Sequence, residues 1–435
     1  MQEIIEVGLE RLELPQAEDA VLVGLKKLRG EGLRSMRELA NLAISAGARP
    51  VDVLIQPRRS PRPATYIGTG KLEELKALQL SLDAEIVLFD DELTPVQVSN
   101  LVDELECKVL DRSELILDIF AQHATSREGQ LQVELAQLSY LLPRLVGKGR
   151  MMDRIGAGGG QVGGVGVRGP GETRLETQRR RLRRRIAKLK EELEEVRRHR
   201  EVEKQGRQRG GLAMVSLVGY TNAGKSTLLN ALVGSDEVRA NNRLFETLDT
   251  TIRKMEIEGA EILISDTVGF IHKLPRALLS AFMATLEQLE EADVILHVLD
   301  ASQQWVETER EASDDMLEKI GVADRPTIVV LNKWDQVAGT ERAEYLKERM
   351  PDALPISAQE RAGLDELRNR IAQVAFSMLV PLTLQIPYDS MQVLQMCRNN
   401  GRVLETRYED EYVAADVEMK PEMVERLRSY VVAPG

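Results

Sequence analysis

The sequence predicts an α/β protein of several domains: an N-terminal α/β domain carrying a long helical coiled-coil hairpin, a second α/β domain with a mostly parallel sheet, and a small C-terminal α+β domain. Three observations lead to this prediction. The chain has 435 residues, more than one ordinary domain. Strand and helix patterns alternate in two separate regions, and two leucine-rich helical patterns lie between those regions. Hydrophobic residues are 43% and charged residues 29%, as in globular proteins.

We expect four parts along the chain: residues 1–125, 126–210, 211–376 and 380–435. In the first part apolar strand patterns alternate with helices, which is typical of a parallel sheet covered by helices. Its expected elements are strands 20–25, 51–55, 85–89 and 108–110 and helices 71–82, 94–105 and 113–124.

The second part, 126–210, is predicted to be an antiparallel helical hairpin. A stretch at 147–171 has 11 glycines in 25 residues, loses much entropy on ordering, and is expected to form the tip loop. Heptad-like spacing flanks it on both sides. The seam positions are Leu131, Leu135, Leu138 and Leu142, then Leu175, Leu182, Ile186, Leu189, Leu193 and Val196.

Charge is distributed unevenly along the chain. The net charge is −12, but residues 143–209 have 20 basic against 9 acidic residues, a net of +11, which leaves −23 for the remainder. Six arginines, 179–181 and 183–185, follow the tip loop. This pattern favours contact with a polyanion such as nucleic acid, because arginine forks match phosphate geometry. A solvated coiled coil with a flexible linker is the alternative.

Several classes of protein are disfavoured. Two cysteines, Cys107 and Cys397, cannot form a disulfide framework. There is no apolar run of membrane-spanning length, no signal-peptide pattern, and no metal-ligand spacing among the four histidines. We therefore expect a cytoplasmic protein without membrane insertion, and we favour a monomer.

The third part contains a phosphate-binding motif. Near-continuous apolar strands are predicted at 214–218, 261–265, 294–299 and 327–331. The first is followed by a match to G-x-x-x-x-G-K-[ST] and then by a helix, which is the context of a P-loop. Lys225 is expected to contact β/γ-phosphate oxygens and Ser226 to ligate Mg²⁺. The expected contacts are Gly219, Tyr220, Thr221, Asn222, Ala223, Gly224, Lys225, Ser226 and Thr227.

The base is expected to be guanine. After strand 327–331 come Asn332, Lys333, Trp334 and Asp335, and the Asp335 carboxylate suits the paired ring and amino donors of guanine. Asn332 would tie this loop to the P-loop, and Lys333 would lie along the base. A weaker signal, Ser357-Ala358, fits a further base-side loop.

Two segments are expected near the γ-phosphate. After strand 261–265 the chain reads Asp266-Thr267-Val268-Gly269, where Asp266 can hold Mg²⁺ through water and the Gly269 N–H can meet the γ-phosphate. Before it lies a segment in the position of a first switch, where Thr247 is the expected Mg²⁺ ligand and Thr250 and Thr251 compete with it. The segment is Phe245, Glu246, Thr247, Leu248 and Asp249.

The order of these motifs predicts a Mg²⁺-dependent GTPase that binds GTP and GDP, with Lys225, Thr247, Asp266 and Gly269 in catalysis. Phe270 stands where many GTPases place a water-orienting glutamine, so hydrolysis is expected to be slow without a partner. Asn222 is a candidate K⁺ ligand beside the phosphates; the alternative is a local turn former.

The fourth part reads as a βαββα module. Its expected elements are strand 382–386, helix 390–398, strands 403–408 and 413–418, and a helix from Pro421.

The whole chain resembles the HflX family of GTPases. The resemblance is carried by Val109-Leu110-Asp111-Arg112-Ser113, Gln132-Val133-Glu134-Leu135-Ala136-Gln137-Leu138, Leu142-Pro143-Arg144-Leu145, Arg168-Gly169-Pro170-Gly171-Glu172-Thr173-Arg174-Leu175-Glu176 and Asp266-Thr267-Val268-Gly269-Phe270. It implies a ribosome-associated protein that binds the large ribosomal subunit and its rRNA, places the hairpin tip near the peptidyl-transferase region, and splits stalled or idle ribosomes. The chain departs from the family pattern at His123, Arg174, Gln178 and Thr250 and in its longer glycine loop.

Other functions stay open at this point. One is a GTPase acting on RNA or on an RNA-modifying partner without ribosome splitting, and another is a nucleotide-gated scaffold. A third is an N-terminal ATPase or helicase-like activity that uses Gly68-Thr69-Gly70-Lys71, although this run lacks a full phosphate loop and favours a turn before a helix.

Overall fold

The structure is a computed structural model that describes residues 17–25, 31–156, 170–209, 212–234, 251–267, 269–271, 273 and 287–432. Contacts divide the chain into two compact units. The first comprises Met1–Glu195, Arg243–Phe245 and His272–Ala281, and the second comprises Val196–Asn242, Glu246–Ile271 and Phe282–Gly435. The four-part boundaries expected from the sequence remain predictions.

The first unit contains a four-stranded parallel sheet of order β2-β1-β3-β4. Helices alternate with its strands, as the sequence predicts, and one of them, α1, lies outside the expected elements. The elements are β1 (Asp19–Leu25), α1 (Glu31–Ser45), β2 (Arg49–Gln56), α2 (Thr69–Leu82), β3 (Ile86–Phe89), α3 (Pro95–Leu105), β4 (Lys108–Asp111) and α4 (Arg112–His123).

Local sequence explains how these helices begin. Thr94 and Gln97 form a capping box at α3, with Pro95 in the first turn. The Asp111 carboxylate caps α4 by accepting from the Glu114 N–H at 3.0 Å. Gly68 is the N-cap of α2, so the run from Gly68 is an ordinary helix start.

The hairpin consists of α5 (Arg127–Gly156) and α6 (Pro170–Arg209). Its helices are antiparallel, because Glu134 pairs with Arg185 at 2.6 Å whereas the earlier Arg127 pairs with the later Glu192 at 2.7 Å. The predicted loop 147–171 is too long: α5 continues through Gly156, since the good helix formers around Met151 outweigh the scattered glycines. Residues 157–169 lie outside the described residues.

Asp111 fixes α5 against the carboxyl edge of the sheet. Its carboxylate accepts from the Tyr140 hydroxyl and from Arg144 Nη2, both at 2.7 Å, and from the Leu93 N–H at 2.9 Å. Asp111 is buried, and displacing α5 would remove the Tyr140 and Arg144 donors from a buried carboxylate, which is costly.

The second unit contains a six-stranded sheet of order β10-β9-β8-β5-β7-β6, parallel except for β6 against β7. Its inner strands are almost entirely buried, as expected for a sheet covered on both faces. The elements are β5 (Met214–Val218), α7 (Lys225–Val233), β6 (Thr251–Ile257), β7 (Ala260–Asp266), β8 (Val294–Asp300), α8 (Val306–Ile320), β9 (Thr327–Asn332), α9 (Glu341–Arg349), β10 (Leu354–Pro355) and α10 (Leu364–Phe376).

The C-terminal module of this unit has the predicted βαββα order and an antiparallel sheet of order β11-β13-β12. Lys420 pairs with Asp293 at 2.6 Å and attaches the module to the larger sheet. No helix of the described part of the chain has the length and apolar character needed to span a membrane. The module's elements are β11 (Val380–Pro387), α11 (Gln392–Asn400), β12 (Gly401–Tyr408), β13 (Tyr412–Met419) and α12 (Pro421–Leu427).

Candidate functional site

The loop between β5 and α7 has the backbone of a phosphate cradle. Gly219, Asn222 and Gly224 have φ angles of +148°, +63° and +89°, a region that favours glycine and tolerates asparagine. A β-carbon at Gly219 would collide with the carbonyl of Val298 on β8. The glycines are therefore needed for this path, which ends at the N-terminus of α7, where anions bind favourably.

Lys225 lies buried at the start of α7. Its Nζ donates to the carbonyl oxygens of Gly219 and Tyr220 at 3.1 and 3.0 Å. Burial lowers the pKa of Lys225 to about 8, although the nearby Asp266 carboxylate favours the charged form. A phosphate group beside this ammonium would stabilise its charge more strongly than two carbonyls do.

Ser226 and Asp266 meet at the carboxyl ends of β5 and β7. The Ser226 hydroxyl donates to Asp266 Oδ2 at 2.6 Å, and Asp266 is fully buried. A hydroxyl and a carboxylate are the hard oxygen donors that Mg²⁺ prefers, so these residues fit the ion that P-loop GTPases use. The third expected participant, Thr247, lies outside the described residues.

The segment after Asp266 is joined to the P-loop by its backbone. Phe270 donates its N–H to Gly219 O and accepts from the Thr221 N–H, both at 2.9 Å. A β-carbon at Gly269 would lie 2.8 Å from Lys225 Nζ and from Thr221 Cα, so glycine is required for this approach. The Phe270 ring is buried edge-on to Tyr220, with centroids 6.5 Å apart, and it has no group with which to orient water.

Asn332 connects three loops through one amide. Its Nδ2 donates to Ala223 O of the P-loop at 2.8 Å, and its Oδ1 accepts from the Ala358 N–H at 3.0 Å. The Trp334 N–H also donates to Ile356 O at 2.9 Å. The structure therefore brings the loop at Asn332, the P-loop and the loop at Ser357-Ala358 to one edge of the sheet.

Lys333 is held by a residue that the sequence reasoning missed. Its backbone is left-handed, with φ of +59°, and its Nζ donates to Asp300 Oδ2 at 2.7 Å. Asp300 is buried at the end of β8 and also accepts from Ser302. Its position directly after a buried strand was the signal that could have revealed it. Asp335 lies exposed on the short 3₁₀ turn Trp334–Gln336, where a base can reach it.

The remaining residues predicted to contact the nucleotide differ in orientation and exposure. The Thr267 hydroxyl donates to Leu217 O at 2.7 Å and braces β5, so it faces away from a nucleotide. The Ser357 hydroxyl is buried and accepts from the Glu360 N–H at 3.1 Å. Asn222 is exposed and Thr227 is half-buried. Outside the described residues lie Val268, Phe245, Glu246, Thr247, Leu248 and Asp249.

This arrangement defines the class of protein. The base loop and the phosphate loop share one amide bridge, and the β7 carboxylate meets the P-loop serine, so one edge of the sheet can hold both ends of a guanine nucleotide with Mg²⁺. The second unit contains a P-loop GTPase domain.

Three family profiles match the chain. They are described as GTP-binding GTPase N-terminal over residues 33–121, GTP-binding GTPase Middle Region over residues 123–207, and 50S ribosome-binding GTPase over residues 214–333. Together they match most of the first unit and the part of the second unit up to residue 333.

Two relatives named GTPase HflX agree with these profiles over most of their length. The GTPase HflX of Caldanaerobacter subterraneus is 41% identical over 96% of this chain and 94% of its own length. The GTPase HflX of Escherichia coli is 41% identical over 85% of this chain and 86% of its own. A solved structure, a GTP-binding protein from Sulfolobus solfataricus in complex with GDP, is 27% identical with a TM-score of 0.46, covering 83% of this chain and 99% of that one.

The chain belongs to the HflX family of GTPases, and it hydrolyses GTP. The resemblance found in the sequence is thereby confirmed, as is the predicted α/β multidomain fold with its P-loop GTPase sheet.

Proposed function

We propose that this chain is a cytoplasmic protein that binds the large ribosomal subunit in its GTP state, contacts rRNA through the hairpin α5–α6, and splits or rescues stalled or idle ribosomes. The profile that matches residues 214–333 is described as a 50S ribosome-binding GTPase, which supports the large ribosomal subunit as the binding partner. The observation that carries the proposal is the set of exposed arginines on α6.

Four of the six clustered arginines are free to contact a polyanion. Arg180, Arg181, Arg183 and Arg184 are exposed, and within the described residues no carboxylate pairs with them. Arg185 differs, because its Nε and Nη2 both donate to the Glu134 carboxylate across the hairpin at 2.6 Å. Arg185 therefore holds the two helices together, while the other four present charge to solvent and can bind phosphates.

The GTPase chemistry follows from the site. Lys225 would neutralise charge on the β- and γ-phosphates, Ser226 and Asp266 would hold Mg²⁺, and the Gly269 N–H would contact the γ-phosphate. Phe270 supplies no water-orienting group, so we expect the ribosome to complete the catalytic arrangement. The exposed Asn222 amide beside the phosphate cradle is our candidate ligand for K⁺. This ion would neutralise charge beside the β- and γ-phosphates.

The proposal is tested by pelleting with large ribosomal subunits across a salt series, in a GTP analogue and in GDP. The test variant replaces Arg180, Arg181, Arg183 and Arg184 by Gln. A control variant replaces four exposed basic residues of the second unit by Gln, so that it loses the same charge: Lys347, Arg349, Arg370 and Arg428.

We expect the wild type and the control variant to pellet in the GTP analogue, and the hairpin variant to bind more weakly with a flatter salt slope. Equal pelleting of all three proteins at every salt concentration would mean that the arginines form a solvated face. Binding to free RNA without binding to subunits would favour the alternative, a GTPase that acts on RNA or on an RNA-modifying partner.

A further inference from the structure

A second basic surface lies far along the chain from the hairpin. The loop 57–65 joins edge strand β2 to α2 at the carboxyl end of the first unit's sheet. We call it the arginine loop, because it contains Arg58, Arg59 and Arg62 and no acidic residue. In a chain with a net charge of −12, nine residues with three positive and no negative charges form a distinct patch.

Hydrogen bonds fix the backbone of the arginine loop. The Arg62 and Tyr66 backbones exchange hydrogen bonds of 2.8 and 3.0 Å and close a small turn. Gln97 Nε2 donates to Arg62 O at 2.7 Å, and Asn100 Nδ2 donates to Ala64 O at 2.9 Å. Side chains of α3 therefore hold the loop through its backbone carbonyl groups.

Tyr66 anchors the end of the loop. It is buried with a left-handed φ of +64°, a conformation that a bulky residue adopts only under constraint. Its hydroxyl donates to Asp91 Oδ2 at 2.7 Å, and its ring packs edge-on to Phe89 with centroids 5.3 Å apart. Prolines at 57, 61 and 63 further restrict the chain.

The guanidinium groups themselves are left available. Arg58 and Arg59 are exposed and Arg62 is half-buried. Arg58 donates Nε to Ser60 O at 2.9 Å, and in the described part of the first unit no carboxylate pairs with any of the three. By contrast, Arg49 at the other end of β2 pairs with Asp19 at 2.6 Å. The contacts with α3 hold the loop by its backbone, and within the described residues its charges have no carboxylate partner, so the loop is preorganised for an external anion.

We propose that the arginine loop is a second RNA-binding surface, which grips backbone phosphates of rRNA while the hairpin contacts a separate stretch. This inference rests on the proposed ribosome function for the identity of the RNA. RNA is favoured over an acidic protein because the exposed donors are arginines and the other exposed residues of the loop have small or cyclic side chains: Pro57, Ser60, Pro61, Pro63 and Ala64.

The test uses the full chain with Arg58→Gln and Arg59→Gln together. The matched control is Arg49→Gln with Lys108→Gln, which removes the same charge from exposed positions at the opposite end of the same sheet. Each protein is titrated against large ribosomal subunits and, separately, against a labelled uridine oligonucleotide, over a salt series. Circular dichroism checks that all variants fold.

We expect the loop variant to bind subunits about tenfold more weakly near 0.1 M salt and to lower the slope of log K against log salt by roughly 1.4, while the control stays within about twofold of wild type. The same order should hold for the oligonucleotide. Identical affinities for loop variant and control would overturn the proposal. A weaker loop variant with an unchanged salt slope would also overturn it, because that result indicates a partner without phosphates.

Different results would contradict the ribosome function and the RNA-binding role of the arginine loop. If the wild type binds the oligonucleotide through the loop but does not bind subunits, the ribosome function falls and the RNA surface stands. If the wild type binds subunits and only the hairpin variant is weakened, the ribosome function stands and the loop has no part in it.

Discussion

Nucleotide affinity should fall above pH 8 because of Lys225. In the free protein burial lowers the pKa of this ammonium to about 8 from the ordinary 10.5. A bound diphosphate favours the charged form, so binding raises the pKa again. At a pH between the pKa of Lys225 in the free protein and its pKa in the bound state, Lys225 is largely neutral before binding and charged after it. Binding then requires uptake of a proton, so the affinity for nucleotide decreases as pH rises.

The size of the effect follows from linkage. Below pH 8 the lysine is charged in both states, and its contribution to affinity is constant. Above pH 8 the association constant should fall by about tenfold per pH unit until the pKa of the bound state is reached. At pH 9 we therefore expect GDP to bind roughly tenfold more weakly than at pH 7, which corresponds to about 1.4 kcal/mol.

The assay is a titration of GDP with Mg²⁺ at half-unit steps from pH 7 to 9, for wild type and Lys225→Met. The variant binds more weakly, but its profile should contain only the titration of the nucleotide and of other groups. The ratio of the two affinities isolates the lysine. A ratio that stays constant from pH 7 to 9 would refute the reasoning.

Three further predictions concern the second unit. Asp335→Asn should shift base preference from guanine toward xanthine by about 10⁴, measured as the ratio of the two dissociation constants; an unchanged ratio would remove Asp335 from base recognition. Single-turnover hydrolysis should be faster in K⁺ than in Na⁺ for wild type but not for Asn222→Ala, and equal wild-type rates would exclude the ion ligand. Burial lowers the pKa of His297 to about 3, so the folded state keeps it neutral and loses stability as pH falls below about 6.5. From pH 7 to 5 the wild type should lose roughly 2 kcal/mol of unfolding free energy more than His297→Leu in denaturant titrations, and parallel curves would contradict this.

Contiguous motifs made much of the site predictable. The P-loop, the segment from Asp266 and the loop at Asn332 each combine a strand end with polar residues, and parallel strands place their carboxyl ends at one edge. The βαββα module and most strands of both sheets were likewise visible as local periodicity.

Hydrogen bonds and ion pairs between residues distant in the sequence could not be predicted from local patterns. The contact of Lys333 with Asp300 and the bonds from Tyr140 and Arg144 to Asp111 join residues 29 to 33 positions apart, and no local pattern specifies which carboxylate each one meets. In the sequence, residues 26–30 before helix α1 include no Ser, Thr, Asp or Asn to predict its N-cap, and strand β6 is a partly exposed edge strand whose alternation is short. Such elements depend on tertiary packing more than on intrinsic propensity.

The central claim is that GTP binding and the hairpin act together on ribosomes. The most direct measurement is a sucrose gradient of intact ribosomes incubated with this protein and a GTP analogue. We expect wild type to convert ribosomes into separate subunits, GDP to prevent this, and the variant lacking Arg180, Arg181, Arg183 and Arg184 to leave them intact. Ribosomes that remain whole with wild type and the GTP analogue at saturating protein would contradict the account.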